Sequence, residues 1–321
     1  MFPNPRSQNK QTSVSLCVYL MRPENLLKQQ EEALTTQKCS VGCPVLDRFL
    51  RGGIPCNSIT ELVSESGCGK TQFSLQLLLS AQLPLSLGGL SSSSLYLHSE
   101  FPFPLRRLQQ LSHSFRSSHP TLFSSHDPCD RIFLHPLHSA HQLLDLLHNK
   151  IESLLSNPPP NTHLPIKLIV IDSIAALFRS EFDNNPSDLK RRSSLFFNIS
   201  TKLKSYANRF GLAVVVTNQV VDFVGSSDGL NGLRVGNLAC LYSSGRRICP
   251  ALGLSWANCV NSRLFLSRNE EVLGKETGLV DDDGFVQKRT KRQIHVVFAP
   301  HLPESSCEFV IVKEGVFGLE R

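Results

Sequence analysis

One turn constrains this chain more than anything else in it. Ser64-Glu65-Ser66-Gly67-Cys68-Gly69-Lys70-Thr71 lies between Ser58-Ile59-Thr60-Glu61-Leu62-Val63 and Gln72-Phe73-Ser74-Leu75-Gln76-Leu77-Leu78-Leu79. The first flank reads as a short buried strand, the second as an amphipathic helix. A glycine-containing turn between a strand and a helix is the geometry of a phosphate-binding loop. Backbone N–H groups from Gly67 to Thr71 converge there, at the positive end of the following helix. Ser66, Gly67, Cys68, Gly69, Lys70, Thr71 and Gln72 are therefore candidate nucleotide-binding residues. Lys70 would neutralise the β- and γ-phosphates of ATP, and the Thr71 hydroxyl would ligate Mg²⁺. The usual pattern is G-x-x-x-x-G-K-[ST], and Ser64 stands where its first glycine would be. The competing reading is a glycine-rich turn in a core with an exposed lysine.

A second element favours the nucleotide. Lys167-Leu168-Ile169-Val170-Ile171-Asp172 is a near-continuous apolar run ending in a carboxylate, about a hundred residues after Lys70. Mg²⁺ needs a carboxylate at the carboxyl end of a neighbouring strand. Asp172 fits that need, although an Asp ending a strand is ordinarily a helix cap. Glu100 ends the strand Leu95-Tyr96-Leu97-His98-Ser99-Glu100 and could activate a water on the γ-phosphate; its plainer reading is a solvated loop glutamate. Gln219, directly after Ala213-Val214-Val215-Val216-Thr217-Asn218, could sense the γ-phosphate and pass its state to the segment that follows.

Strands that are apolar on both faces and alternate with helices predict an α/β fold with a mainly parallel central sheet flanked by helices. Helices are expected near 45–51, after the phosphate loop, at 105–115, at 138–155 and at 188–210. Val221 to Leu254 reads as a long Gly/Ser-rich basic stretch with little periodicity. Closing C-terminal strands are expected at 263–266, 294–298 and 308–312. Residues 1–40 read as a flexible N-terminal arm and 41–321 as the core. Within that core an acidic-then-basic insertion at about 269–292 reads as mobile.

Composition narrows the setting. At 321 residues and 40% hydrophobic, the chain can bury one large core. Its net charge of +6 is compatible with a nucleic-acid partner without requiring one. Ten cysteines are scattered with no C-x-x-C pair, which argues against a zinc site and for a reducing compartment. Val14 to Met21 is apolar but too short to span a bilayer, and it has no small-residue cleavage site. No membrane association is expected.

Two basic groups follow the carboxyl ends of core strands: Arg179 with Lys190, Arg191 and Arg192, and Arg234 with Arg246 and Arg247. Neutralising single-stranded DNA phosphates is one reading and a solvated surface the other. His135, His138 and His141 lack the carboxylate or thiolate neighbours a metal needs. Trp256 reads as core rather than as a stacking platform. The run Lys288-Arg289-Thr290-Lys291-Arg292 suggests nuclear import, with some cytoplasmic protein, although short basic runs are often only surface.

Taken in order, Gly42-Cys43-Pro44-Val45-Leu46-Asp47 with Arg51-Gly52-Gly53-Ile54-Pro55, Gly67-Cys68-Gly69-Lys70-Thr71-Gln72, Leu168–Ser173 and Thr217-Asn218-Gln219-Val220 resemble the RecA-like recombinases. Gly253-Leu254-Ser255-Trp256-Ala257-Asn258 and Ala299-Pro300-His301-Leu302-Pro303-Glu304 narrow the resemblance to the eukaryotic recombinase paralogues. It spans roughly residues 41–318. The resemblance implies a RecA-like P-loop ATPase core acting in homologous recombination and DNA double-strand-break repair. It implies a heteromer with a sister recombinase paralogue, support of the recombinase filament, and contact with single-stranded or branched DNA. By position it implies that Glu100 is the catalytic glutamate, Gln219 the γ-phosphate sensor and Arg107 an adenine-side contact. The segments after Phe178 and Gln219 match its DNA-binding loops. Phe298 stands where the recombinases carry the aspartate of a nucleotide-capping Asp-Ser-Pro segment. Two activities stay open: weak DNA-stimulated ATP hydrolysis, or a non-hydrolysing scaffold clamped by ATP and acting through its partner.

Overall fold

The structure is a computed structural model. It describes residues 36–320 except 101, 125, 158–163, 180, 183–184, 224–240 and 274–286; for 271–273 and 287–289 only the backbone is described. The chain divides into two units, Met1–Thr36 and Gln37–Arg321, and every described strand and helix belongs to the second.

Strand β1 (Lys38–Cys39) leads into helix α1 (Pro44–Phe49) and β2 (Ile54–Pro55). β1 pairs antiparallel with β2, so residues 38–39 are structured parts of this unit rather than of the arm expected over 1–40. Asp47 secures the connection: its carboxylate accepts from the Ser40 hydroxyl at 2.6 Å and from the Val41 N–H at 2.7 Å. Then come β3 (Ser58–Ser64), α2 (Lys70–Ser80), β4 (Ser93–His98), α3 (Leu105–Ser118) and β5 (Ile132–Pro136). The single helix expected over 138–155 is two, α4 (Ala140–Asn149) and α5 (Ile151–Ser156). Lys150 between them has φ −125°, outside the helical range.

β6 (Ile166–Asp172) is followed by the short α6 (Ala176–Arg179) and by α7 (Pro186–Phe210). α7 starts on an Asn185 cap, whose side chain accepts from the Asp188 N–H, and stops at Gly211 with φ 62°. β7 (Ala213–Asn218) completes the buried strands. The stretch expected to lack periodicity holds β8 (Val220–Asp222), β9 (Leu241–Ser243), β10 (Arg246–Pro250) and α8 (Gly253–Ala257). These strands are too short for alternation to show, and they pair into a small antiparallel sheet of order β8-β10-β9. Last come β11 (Ser262–Leu273), β12 (Gln287–Phe298), β13 (Ser305–Ile311) and β14 (Val316–Gly318). β11 and β12 pair in register as far as Leu273 with Gln287. Both ends of the stretch expected to be mobile over 269–292 therefore belong to a ladder.

Among the described residues the main sheet runs β14-β13-β12-β11-β3-β7-β6-β4-β5. The six strands from β11 to β5 are parallel to their neighbours, and β12 to β14 close the sheet antiparallel. This is the mainly parallel α/β architecture the apolar runs predict. One face packs on α2 and α3 through Phe73, Leu77 and Leu111, and the other on α4 and α7 through Leu143, Ile199 and Leu203. Trp256 is fully buried, in line with a core role.

A charged residue sits inside this sheet. Glu61 on β3 is fully buried, and its carboxylate accepts from Asn218 at 2.7 Å, Trp256 Nε1 at 2.9 Å and Arg263 Nε at 2.5 Å. The Arg263 guanidinium also lies 5.3 Å from the centre of the Phe298 ring. One acidic side chain thus ties β3, β7, α8 and β11 together. A buried charge is tolerable only when satisfied in this way.

Candidate nucleotide site

β3, β6 and β7 lie side by side and parallel, so their carboxyl ends open on the same edge of the sheet. A cavity of about 1000 Å³ lies there. Ser66, Gly67, Gly69, Lys70, Thr71, Gln72, Glu100, Arg107, Asp172 and Gln219 all line it, from segments as much as 153 residues apart in sequence. Cys68 instead faces inward: it is fully buried, and its sulfur lies 4.0 Å from the Ser243 hydroxyl. Burial pushes its thiol up from the ordinary value.

The loop has the conformation its sequence demands. Gly67 and Gly69 have φ of 79° and 119°, in the region that disfavours side chains. A Cβ on Gly69 would stand 2.8 Å from Ile311 Cδ1, so β13 packs directly over the loop. The Lys70 ammonium donates to the Ser64 carbonyl at 2.7 Å, the Ser64 hydroxyl at 2.9 Å and the Glu65 carbonyl at 3.0 Å. Ser64, standing where the usual motif has glycine, thereby gives the lysine an extra acceptor. Burial lowers the Lys70 pKa, while nearby Asp172 acts to raise it.

Asp172 sits among hydroxyls. Its Oδ2 accepts from Thr71 at 2.8 Å and from Tyr96 at 2.5 Å, and its Oδ1 from Thr217 at 2.5 Å. Thr71 and Asp172 thus present oxygen donors side by side at the mouth of a glycine loop, which suits a hard cation such as Mg²⁺. Gln219 Nε2 donates to Glu100 Oε1 at 2.5 Å, so these two candidate residues are in contact. Arg107 donates through Nε to Gln72 at 2.7 Å and through its other nitrogens to the carbonyls of Val312 at 2.7 Å and Lys313 at 2.8 Å. With these bonds it fixes the cavity wall formed by the β13–β14 turn.

The basic residues separate. Arg179 and Arg246 line this same cavity, whereas Lys190, Arg191, Arg192 and Arg247 do not. Arg246 reaches Glu65 Oε1 at 2.7 Å and Asp222 at 3.1 Å. Lys190 and Arg191 are exposed on the first turns of α7. Arg192 turns inward, 5.3 Å from the centre of the Phe196 ring and 3.4 Å from the Ala251 carbonyl, and burial lowers its pKa. Arg234 lies outside the described residues. Sequence reasoning missed Tyr96, Thr217 and Glu65. Each reads locally as a strand or loop residue, and only long-range pairing brings it to the site. Among the described residues no group of His, Cys, Asp and Glu is placed to hold a metal by itself, and no helix is long and apolar enough to cross a membrane.

Comparison with known proteins adds to this geometry. The Rad51 family matches residues 33–233. The "DNA repair protein XRCC3 homolog" of Arabidopsis thaliana is 55% identical over 304 residues, covering 94% of this chain and 98% of that protein. The mouse "DNA repair protein XRCC3" is 36% identical over 304 residues, covering 91% of this chain and 79% of its own length. The mouse "DNA repair protein RAD51 homolog 2" is 31% identical over 274 residues, covering 79% and 72%.

Proposed function

The chain belongs to the Rad51 family, and from that premise we propose that it is an ATP-binding recombinase paralogue of the XRCC3 type, acting in homologous recombination and DNA double-strand-break repair. It works in a heteromer with a sister paralogue, binds single-stranded or branched DNA, supports the recombinase filament, and hydrolyses ATP weakly when DNA is bound. Its place of action is the nucleus. The observation that carries this reading is the convergence of Lys70, Thr71, Asp172, Glu100 and Gln219 on one cavity.

The roles follow from chemistry. The loop N–H groups and Lys70 receive the β- and γ-phosphates, and nucleotide phosphate would compete for the ammonium now held by Ser64 and Glu65. Thr71 and Asp172 would hold Mg²⁺, which supplies charge neutralisation at the phosphates. Glu100, exposed at the end of the β4 segment, can take up a water and its proton. Gln219 joins the nucleotide cavity to β8, which begins at the next residue. Its contact with Glu100 makes the state of one residue depend on the other.

The test is ATP turnover by the purified chain with its sister paralogue, with and without single-stranded DNA, beside Glu100→Gln. The variant should keep ATP binding and lose the DNA-stimulated turnover, a fall of about 10²-fold or more on the scale of general-base removal. Turnover absent from both proteins, with ATP still bound, would replace the hydrolytic reading with the clamped scaffold. The position of Phe298 under Arg263, where a recombinase carries its capping aspartate, favours that second reading.

A further inference from the structure

The metal-side carboxylate has a partner that no nucleotide-loop chemistry accounts for. Tyr96 lies in the middle of β4, opposite Val170 of β6, and is 1% exposed. Its hydroxyl donates to Asp172 Oδ2 at 2.5 Å, while Thr217 on β7 donates to Oδ1 at 2.5 Å. Each carboxylate oxygen is therefore gripped from a buried strand on a different side of β6. Neither donor belongs to the phosphate loop. Thr71, the third donor, does belong to it, and its oxygen is itself a candidate metal ligand.

Tyr96 is in turn fixed from behind. Phe103 packs edge-on against its ring, with centroids 5.2 Å apart and planes at 73°. Tyr96, Phe103, Thr71, Glu100 and Asp172 also border a smaller cavity of about 270 Å³ beside the main one. The segment that places Glu100 thus shares a wall with the group that grips Asp172.

We propose that Tyr96 is a positioning residue for the metal-binding carboxylate: its hydroxyl holds Asp172 in the orientation that accepts Mg²⁺ before nucleotide arrives. The proposal rests on the ATP–Mg²⁺ reading above. A carboxylate held by donors from the surrounding strands loses little freedom when it binds a metal, and removing such an outer partner characteristically weakens metal affinity. Burial, and then the Asp172 charge, raise the Tyr96 pKa well above its ordinary value, so the phenol stays a neutral donor throughout the physiological range.

The experiment is Tyr96→Phe in the full chain, which removes the hydroxyl and keeps the ring against Phe103. Binding of a fluorescent ATP analogue is measured in EDTA and then across a Mg²⁺ titration, with thermal unfolding on the same samples. The variant should bind the analogue in EDTA as the parent does and unfold at a similar temperature. It should need about tenfold more Mg²⁺ to reach half of the Mg²⁺-dependent gain in affinity. An unchanged or lower Mg²⁺ midpoint overturns the proposal, and so does an equal loss of affinity with and without Mg²⁺, which would mean general damage to the site. If the parent binds no analogue under either condition, the nucleotide reading itself fails and this proposal goes with it.

Discussion

Glu65 lies inside the phosphate loop, yet its side chain serves a segment 178 residues further along the chain. Its carboxylate accepts from Ser243 at 3.1 Å, Ser244 at 2.7 Å and Arg246 at 2.7 Å, tying the β9–β10 turn to the nucleotide cavity. Burial alone would raise its pKa, but the hydrogen bonds from Ser244, Ser243 and Arg246 outweigh that and hold it below the ordinary carboxylate value. A carboxyl group with a depressed folded-state pKa adds stability that is present above its unfolded value of about 4.5 and is lost as pH falls through the lower folded value. The stability difference between the parent and Glu65→Gln should therefore be constant at neutral pH and shrink as pH falls below about 4.5 and on through the lower folded value. Urea unfolding of both proteins across that range checks it. A difference that stays flat, or grows on acidification, would mean that the clamp does not depend on the charge of Glu65. Nothing in the local sequence announces this role, because the partners are serines and an arginine in a glycine-flanked turn that pattern alone leaves shapeless.

The elements that sequence made legible are those whose burial repeats at short range. β6 and β7 are mostly apolar on both faces, β3 is buried along nearly its whole length, and α7 carries Leu195, Ile199, Leu203 and Tyr206 on one side. Of the β11–β12 ladder only the inner part, near 263–266 and 294–298, is legible, because the outer part is polar and charged: Arg268 pairs with Arg292, and Asn269 with Lys291. Its strand conformation comes from cross-strand hydrogen bonding rather than from an apolar face. The Arg51-Gly52-Gly53 turn is the opposite case, a motif whose physical reason the structure makes plain. Gly53 has φ 111°, and a Cβ there would lie 2.1 Å from the Cys39 carbonyl oxygen, inside the β1–β2 pairing. Gly245 also has a positive φ, 74°, but a Cβ there meets nothing within 4 Å. Gly53→Ala should therefore cost about 3 kcal/mol or more, combining backbone strain with a clash against main chain. Gly245→Ala should cost only about 1 kcal/mol, from strain alone. Thermal or urea unfolding of the two variants side by side measures the contrast, and equal losses would remove the steric account of the glycine pair.

For the whole molecule, the distribution of positive charge bears on how it would meet DNA. Sequence alone groups Arg179 with Lys190, Arg191 and Arg192, and Arg234 with Arg246 and Arg247, because spacing cannot show which way a side chain points. Folding sorts them by what they touch. Arg246 is engaged by two carboxylates beside the phosphate loop, and Arg192 is committed to Phe196 and the Ala251 carbonyl. Lys190 and Arg191 stay exposed at the start of α7, with Arg191 reaching Asp188 at 3.4 Å and lying 5.8 Å from the centre of the Phe182 ring. A surface ion pair of that kind is worth little and yields readily to a phosphate. If this end of α7 meets single-stranded DNA, each lysine or arginine that contacts a phosphate contributes about 0.7 to the slope of log affinity against log salt. Replacing Lys190 and Arg191 with alanine should then lower that slope by about 1.4, with little change in unfolding temperature. Arg192→Ala should do the reverse, reducing stability through lost packing while leaving the slope nearly unchanged. Anisotropy titrations of labelled oligonucleotide at several salt concentrations, with the sister paralogue present, separate the two. An unaltered slope in the double variant would move the DNA contact away from α7 and leave its basic run as solvated surface.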